Sequence, residues 1–153
     1  MRRRVVWKEE ACIGCRLCEV YCVTAHSRYP GDVLKAFKRD PDRPVPRVVL
    51  EEKGPVSFAL SCRQCEEPEC VKSCLTGALG VDPARGVVVV DEQHCIGCWT
   101  CIVACPWGAI RPSRGEQPVA IKCDLCLGRL GIPACVGNCP NEALQLQECG
   151  KEG

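Results

Sequence analysis

Apolar residues in this 153-residue chain fall in short runs, and several runs come in pairs. Ala78–Val81 and Val87–Val90 are separated by Asp82–Gly86, which supplies the Pro and Gly of a turn, so the pair predicts a hairpin. RVVLEE and VSFALS, divided by Lys53-Gly54-Pro55, predict a second, and WGAI (Trp107–Ile110) with VAIK (Val119–Lys122) a third strand pair. Between Pro30 and Pro55 proline and charge prevail, and most of that stretch reads as loop. The tail after Leu146 is polar and reads as frayed. No apolar run approaches the ~18 residues of a membrane span, so direct membrane insertion is not expected.

The 17 cysteines change this picture. Sixteen fall into four quartets: Cys12, Cys15, Cys18, Cys22; Cys62, Cys65, Cys70, Cys74; Cys95, Cys98, Cys101, Cys105; and Cys123, Cys126, Cys135, Cys139. Cys149 stands alone. Each quartet opens C-x2-C and closes on a pair separated by three residues, an internal repeat used four times. The closing pair, at i and i+4, shares one face of a helix. Short helices are therefore expected at the quartet ends, with Pro68 and Pro133 in first turns.

With two Phe and two Tyr the apolar core is thin, and a chain this poor in aromatics needs disulfides or metals as staples. Disulfides need an oxidising compartment, the cysteine count is odd, and the basic start MRRRVVWKEEACIGC has no apolar signal region. A cytoplasmic location is expected. Structural zinc usually takes two well-separated C-x2-C-like pairs, whereas each quartet here supplies one. The first three cysteines of a quartet can grip three corners of a [4Fe–4S] cubane. In the bacterial C-x2-C-x2-C-x3-C-P pattern the fourth cysteine serves a neighbouring cluster. CIGCWTCIVACP (Cys95–Pro106) matches that pattern in full. The first and second quartets have Val23 and Leu75 in place of the proline, and the fourth keeps Pro140 but lengthens its middle gap. Four complete [4Fe–4S] clusters are expected.

The formal charge of +1 gives no sign of a nucleic-acid partner. Four thiolate-bound cubanes would add roughly −8. Apart from the cysteines there is no acid–base carboxylate motif, nucleotide-binding glycine fingerprint or P-loop. The chain thus reads as an electron carrier and not an enzyme, with redox-silent zinc or a catalytic cluster as the competing classes.

CRQCEEPECVKSCLTGAL, CIGCWTCIVACPWGAI and CDLCLGRLGIPACVGNCPNEAL resemble the four-cluster ferredoxin-like electron-transfer subunits. That group includes the iron–sulfur proteins linked to carbon monoxide dehydrogenase, hydrogenase and tungsten aldehyde oxidoreductase, and the iron–sulfur subunits of the dimethyl sulfoxide reductase and formate dehydrogenase superfamily. The resemblance covers roughly residues 5–146. It implies an α+β fold of two interleaved ferredoxin-like units with short strands, short helices and much loop. The inner unit would span residues 60–112, and the outer unit 5–30 plus 113–147, with 31–59 as a loop and hairpin insertion. It also implies four ligand sets: Cys12, Cys15, Cys18 with Cys139; Cys123, Cys126, Cys135 with Cys22; Cys62, Cys65, Cys70 with Cys105; and Cys95, Cys98, Cys101 with Cys74. The partners implied are a nickel, molybdenum or tungsten oxidoreductase subunit on one side and a second redox protein, such as a flavoprotein, on the other. Any quinone chemistry is left to another subunit, since this chain lacks the C-terminal extension of larger members.

Among the remaining residues, His94 precedes Cys95 and is read as a solvated loop residue. Trp99 and Trp107 flank the third quartet and either shield its cluster or pack in the core. Arg2–Arg4 read as a solvated edge, Lys35–Arg47 as charged surface and a candidate docking loop, and Cys149 as a bystander.

Overall fold

The computed structural model describes residues 2–129 and 131–149. Its strands are β1 (Arg2–Trp7), β2 (Val48–Lys53), β3 (Val56–Ser61), β4 (Leu79–Asp82), β5 (Val87–Val90), β6 (Arg111–Pro112), β7 (Ala120–Ile121) and β8 (Leu144–Cys149). Its helices are α1 (Leu17–His26), α2 (Val33–Lys38), α3 (Glu69–Lys72), α4 (Thr100–Ala104) and α5 (Ala134–Gly137). The strands form four separate two-stranded antiparallel ladders: β1–β8, β2–β3, β4–β5 and β6–β7. This is a small mixed fold of helices and strands, as the residue pattern leads one to expect.

β4–β5 is the hairpin expected over Ala78–Val90, with Leu79 opposite Val90, and β2–β3 is the expected second hairpin. The third pair forms later in the chain than its apolar run, because Arg111 and Pro112, not Trp107–Ile110, lie opposite Ile121 and Ala120. Two further expectations are corrected. The region after Pro30 contains α2, capped by Asp32, whose carboxylate accepts the Lys35 N–H at 2.9 Å. The tail does not fray before Cys149: β8 pairs with β1 in full register, from Trp7 opposite Leu144 to Arg2 opposite Cys149. Arg2–Arg4 accordingly belong to a paired strand, with Arg2 bonded to Glu66 at 2.7 Å and Arg4 to Gln147 at 3.4 Å. This ladder buries Val5 and Leu144, which repays the closure of a loop nearly as long as the chain.

The core is built around sulfur. Val5, Val48, Leu50, Ala59, Val87 and Leu144 pack with Cys18, Cys22, Cys62, Cys123 and Cys135. A second group joins Leu79, Val88, Ile110 and Ala120 to Cys101. No aromatic side chain is among the buried hydrophobics of the described residues. Helix α1 packs on α5, and α3 on α4, so the quartets meet as first with fourth and second with third.

Candidate metal centres

In every quartet the residue before the second cysteine has left-handed backbone: Gly14 (φ 69°), Gln64 (50°), Gly97 (67°) and Leu125 (56°). Such a residue reverses the chain within the C-x2-C step and turns consecutive N–H groups toward one concavity, a cradle for anionic sulfur. Arg16 and Trp99, also left-handed, then start α1 and α4. At Gly97 the requirement is doubled, since an added Cβ would come within 2.7 Å of the Pro118 carbonyl oxygen. Gly97→Ala is therefore expected to cost about 1–2 kcal/mol in backbone strain alone, with the clash added. Iron analysis and thermal unfolding of the variant would show it as lost metal and a lower Tm.

The structure brings cysteines from different quartets together. One small cavity is bounded by Cys12, Cys15, Cys18 and Cys139. A second is bounded by Cys74, Cys95, Cys98 and Cys101, and a third by Cys62, Cys65, Cys70 and Cys105. The four remaining thiols, Cys22, Cys123, Cys126 and Cys135, are all buried, and Cys135 lies near enough to the other three, and to Cys18, to feel their charge. In each group three thiols come from one quartet and the fourth from its neighbour. Cys149 sits in β8 opposite Arg2, outside all four groups.

Burial pushes Cys18 and Cys70 up to about 11 and Cys123 up to about 12, and drives Cys135 still higher. Without a cation these thiols stay neutral; iron would draw off their protons and bind the thiolates. The surrounding donors fit the thiolate form. Backbone N–H groups of Arg47, Gln64 and Ala120 point at the sulfurs of Cys22, Cys62 and Cys95 at 3.2, 3.5 and 3.4 Å. The Thr100 hydroxyl donates to Cys98 at 3.5 Å, which helps hold that thiol below its usual range. Four sulfurs around a small space, met by N–H donors, fit a thiolate-bound [4Fe–4S] cluster.

Several polar residues around these groups are not singled out as site residues by the cysteine spacing. Gln64 is buried; its side-chain N–H₂ donates to the Cys123 carbonyl at 2.9 Å, and its oxygen accepts the Val88 N–H at 2.8 Å. Lys122, buried as well, donates to the same Cys123 carbonyl at 2.8 Å and to the Val88 carbonyl. His26 Nε2 bonds Asp124 at 3.0 Å, and Arg47 bonds the other Asp124 oxygen at 2.8 Å. Burial lowers the affinity of His26 for a proton, but Asp124 and the Cys22 sulfur outweigh it and raise its pKa to about 9. At Asp124 it is His26 and Arg47 that overcome burial and hold its carboxyl well below the usual range. The i+4 spacing of Cys18, Cys22 and His26 on one helix was the available clue to His26. His94 is exposed and bonds Asp91 at 2.7 Å, as expected of a loop residue. Trp99 lines the Cys74–Cys101 cavity, while Trp107 lines that of Cys62 and Cys105. There the Arg63 guanidinium lies over both Trp7 and Trp107, 4.1 and 4.7 Å from their ring centres.

An open groove runs past the Cys95–Trp99 loop, which forms a wall common to the groove and the Cys74–Cys101 cavity. Arg43, Arg114 and Arg129 line it, together with Arg47. Thus Arg43 and Arg47, from the charged stretch 35–47, do face a concave surface.

Comparison with known proteins agrees with this chemistry. Residues 56–149 match the family model of the 4Fe-4S dicluster domain. The chain belongs to that family. It is 38% identical to the electron transport protein HydN of Escherichia coli K12, across 94% of this chain and 87% of that protein. It is 35% identical to an iron-sulfur protein of Rhodospirillum rubrum, across 88% of this chain and 76% of the other. The polyferredoxin-like subunit of an aliphatic sulfonate oxidoreductase from Pyrococcus furiosus is 38% identical across 85% of this chain and 67% of its own length. The fold is also that of a chain in the active-site complex BamBC of benzoyl coenzyme A reductase, at 22% identity and a TM-score of 0.52, over 99% of this chain and 82% of that one. This member of the dicluster family is an iron–sulfur electron-transfer protein, and its cofactors are [4Fe–4S] clusters. No described helix is long and apolar enough to cross a membrane.

Proposed function

We propose that the protein carries four [4Fe–4S] clusters in a single line and relays electrons between an oxidoreductase subunit and a second redox partner. The observation that supports the reading is that three cavities are each lined by three cysteines of one quartet and one of another, while the four cysteines left over are all buried. The ligand sets are Cys12, Cys15, Cys18 and Cys139; Cys123, Cys126, Cys135 and Cys22; Cys62, Cys65, Cys70 and Cys105; and Cys95, Cys98, Cys101 and Cys74. Two interleaved ferredoxin-like units follow: an inner one over residues 60–112, and an outer one over 5–30 and 113–147, with 31–59 inserted. When bound, the clusters supply one-electron acceptance and release.

The polypeptide supplies order, insulation and ends. Helix α1 joins the first two sites in that order, since it carries both Cys18 and Cys22. Gln64 and Lys122 join the second site to the third through the Cys123 carbonyl. The packed helices α3 and α4 join the third site to the fourth. Of the sixteen cysteines only Cys15 and Cys98 are exposed, one in each terminal site. Ile13 and Ile96, at 63% and 67% exposure, stand beside them as apolar contacts for a partner. The four ligands of the second site are all buried, which keeps water from the middle of the line. Electrons would enter at one exposed end and leave at the other. The arginine-lined groove beside Cys95 fits a partner that presents carboxylates. Operation in the cytoplasm, beside a nickel, molybdenum or tungsten enzyme, is part of this proposal.

The test is iron analysis with a potentiometric titration of protein purified without oxygen. About sixteen iron atoms and four reducible centres are expected. About eight atoms would overturn the four-site line, and zinc in place of iron would overturn the relay itself.

A further inference from the structure

Lys122 follows β7 directly, yet its side chain is turned inward and the residue is 2% exposed. Its ammonium donates to two main-chain carbonyls, those of Val88 and Cys123. None of the ion pairs formed by the described residues includes it. A buried charge faced only by neutral dipoles is costly, and buried cations are ordinarily paired. The groups that line a cavity with it and become negative on binding iron are sulfurs. Lys122 lines the cavity of Cys62, Cys65, Cys70 and Cys105, and its charge acts on the thiols of Cys70 and Cys123.

Hydrogen bonding alone does not account for a lysine here. Gln64, a neutral side chain, already holds the Cys123 carbonyl and the Val88 N–H. Besides its bond to the Val88 carbonyl, what Lys122 adds is a positively charged side chain at the junction of the second and third sites.

We infer that Lys122 is the internal counter-charge of the Cys62–Cys65–Cys70–Cys105 site and raises the reduction potential of the cluster held there. The inference rests on the four-site reading above. A thiolate-bound cubane carries roughly −2 when oxidised and gains one more negative charge on reduction. Burial by itself disfavours the more highly charged, reduced form. A neighbouring ammonium in the same low-dielectric interior favours it. The lysine thereby favours electron acceptance at a partly buried site in the middle of the line, against the desolvation that opposes it.

The experiment compares wild-type holoprotein with Lys122→Met and Lys122→Gln, all purified without oxygen. Each is measured for iron and by potentiometric titration followed by electron paramagnetic resonance. The expected result is full iron in the variants and one reduction step displaced to more negative potential. At the wild-type midpoint of that step the ratio of reduced to oxidised cluster should fall about tenfold, equivalent to about 59 mV for one electron. Full iron with every step unmoved would overturn the inference. So would loss of iron from both variants, which would make Lys122 a packing and hydrogen-bonding residue only. A wild-type protein with about half the expected iron would instead remove the four-site reading, a different failure seen before any variant is made.

Discussion

Replacing Cys22 with alanine is expected to cost the protein one whole cluster, and not the one held by the rest of its own quartet. Cys22 lies one turn beyond Cys18 on α1, but in the proposed ligand sets it joins Cys123, Cys126 and Cys135. Iron should fall by about four atoms per chain, roughly a quarter of a sixteen-iron total. The assay that decides is additivity. Cys22→Ala combined with Cys135→Ala should lose no more iron than either alone, because both damage one site. Combined with Cys12→Ala it should lose about twice as much, because two sites are then damaged. The reverse pattern would mean that each quartet closes on itself, and it would dismantle the ligand sets and with them the order of the line.

Removing the iron is expected to unfold most of the protein. The buried hydrophobics of the described residues are valine, alanine, leucine and isoleucine grouped with cysteine, without one aromatic ring. The strands are short: β6 and β7 have two residues each, and the longest have six. Four two-stranded ladders cannot stand alone in water. In the metal-free state the cysteines of the second site are a cluster of buried thiols, and the Arg47 N–H is aimed at a poor acceptor, the Cys22 sulfur. Cluster binding energy is then folding energy. Anaerobic chelation should abolish the cooperative thermal transition and the native far-ultraviolet circular dichroism. Restoring iron and sulfide should bring both back. A metal-free protein that kept a cooperative transition near the original Tm would show that the hydrocarbon core suffices.

The local hairpins could be read directly from the chain. Val87–Val90 and its partner run, with Pro83 and Gly86 between them, name a turn and two strands within 13 residues. Pairing at such short range involves little loop closure and leaves few alternatives. The β1–β8 ladder was not readable in the same way. Arg2–Arg4 and Gln145–Glu148 look like polar ends, and only the burial of Val5 and Leu144 from opposite ends of the chain makes them strands. Helix α2 was hidden for another reason. Its flanks are proline and charge, Ala36 is its one buried residue, and a single carboxylate cap starts it.

The candidate site divides along the same boundary. Spacing names sixteen candidate ligands because a cubane demands cysteines at short, repeated intervals, and covalent distance along the chain carries that demand. Spacing does not say that the buried cation of the interior is Lys122, at the end of an apolar run, or that Gln64 is the polar clamp beside it. Nor does it say that Asp124 is held between His26 and Arg47, or that Cys15 and Cys98 are the most exposed of the sixteen. These facts are set by which segments meet in space, since burial and charge pairing depend on neighbours distant along the chain. By itself the sequence determined the chemistry of the protein, thiolate-held [4Fe–4S] clusters. The tertiary structure alone decided which thiols meet, which are kept from water, and where a positive charge is buried among them.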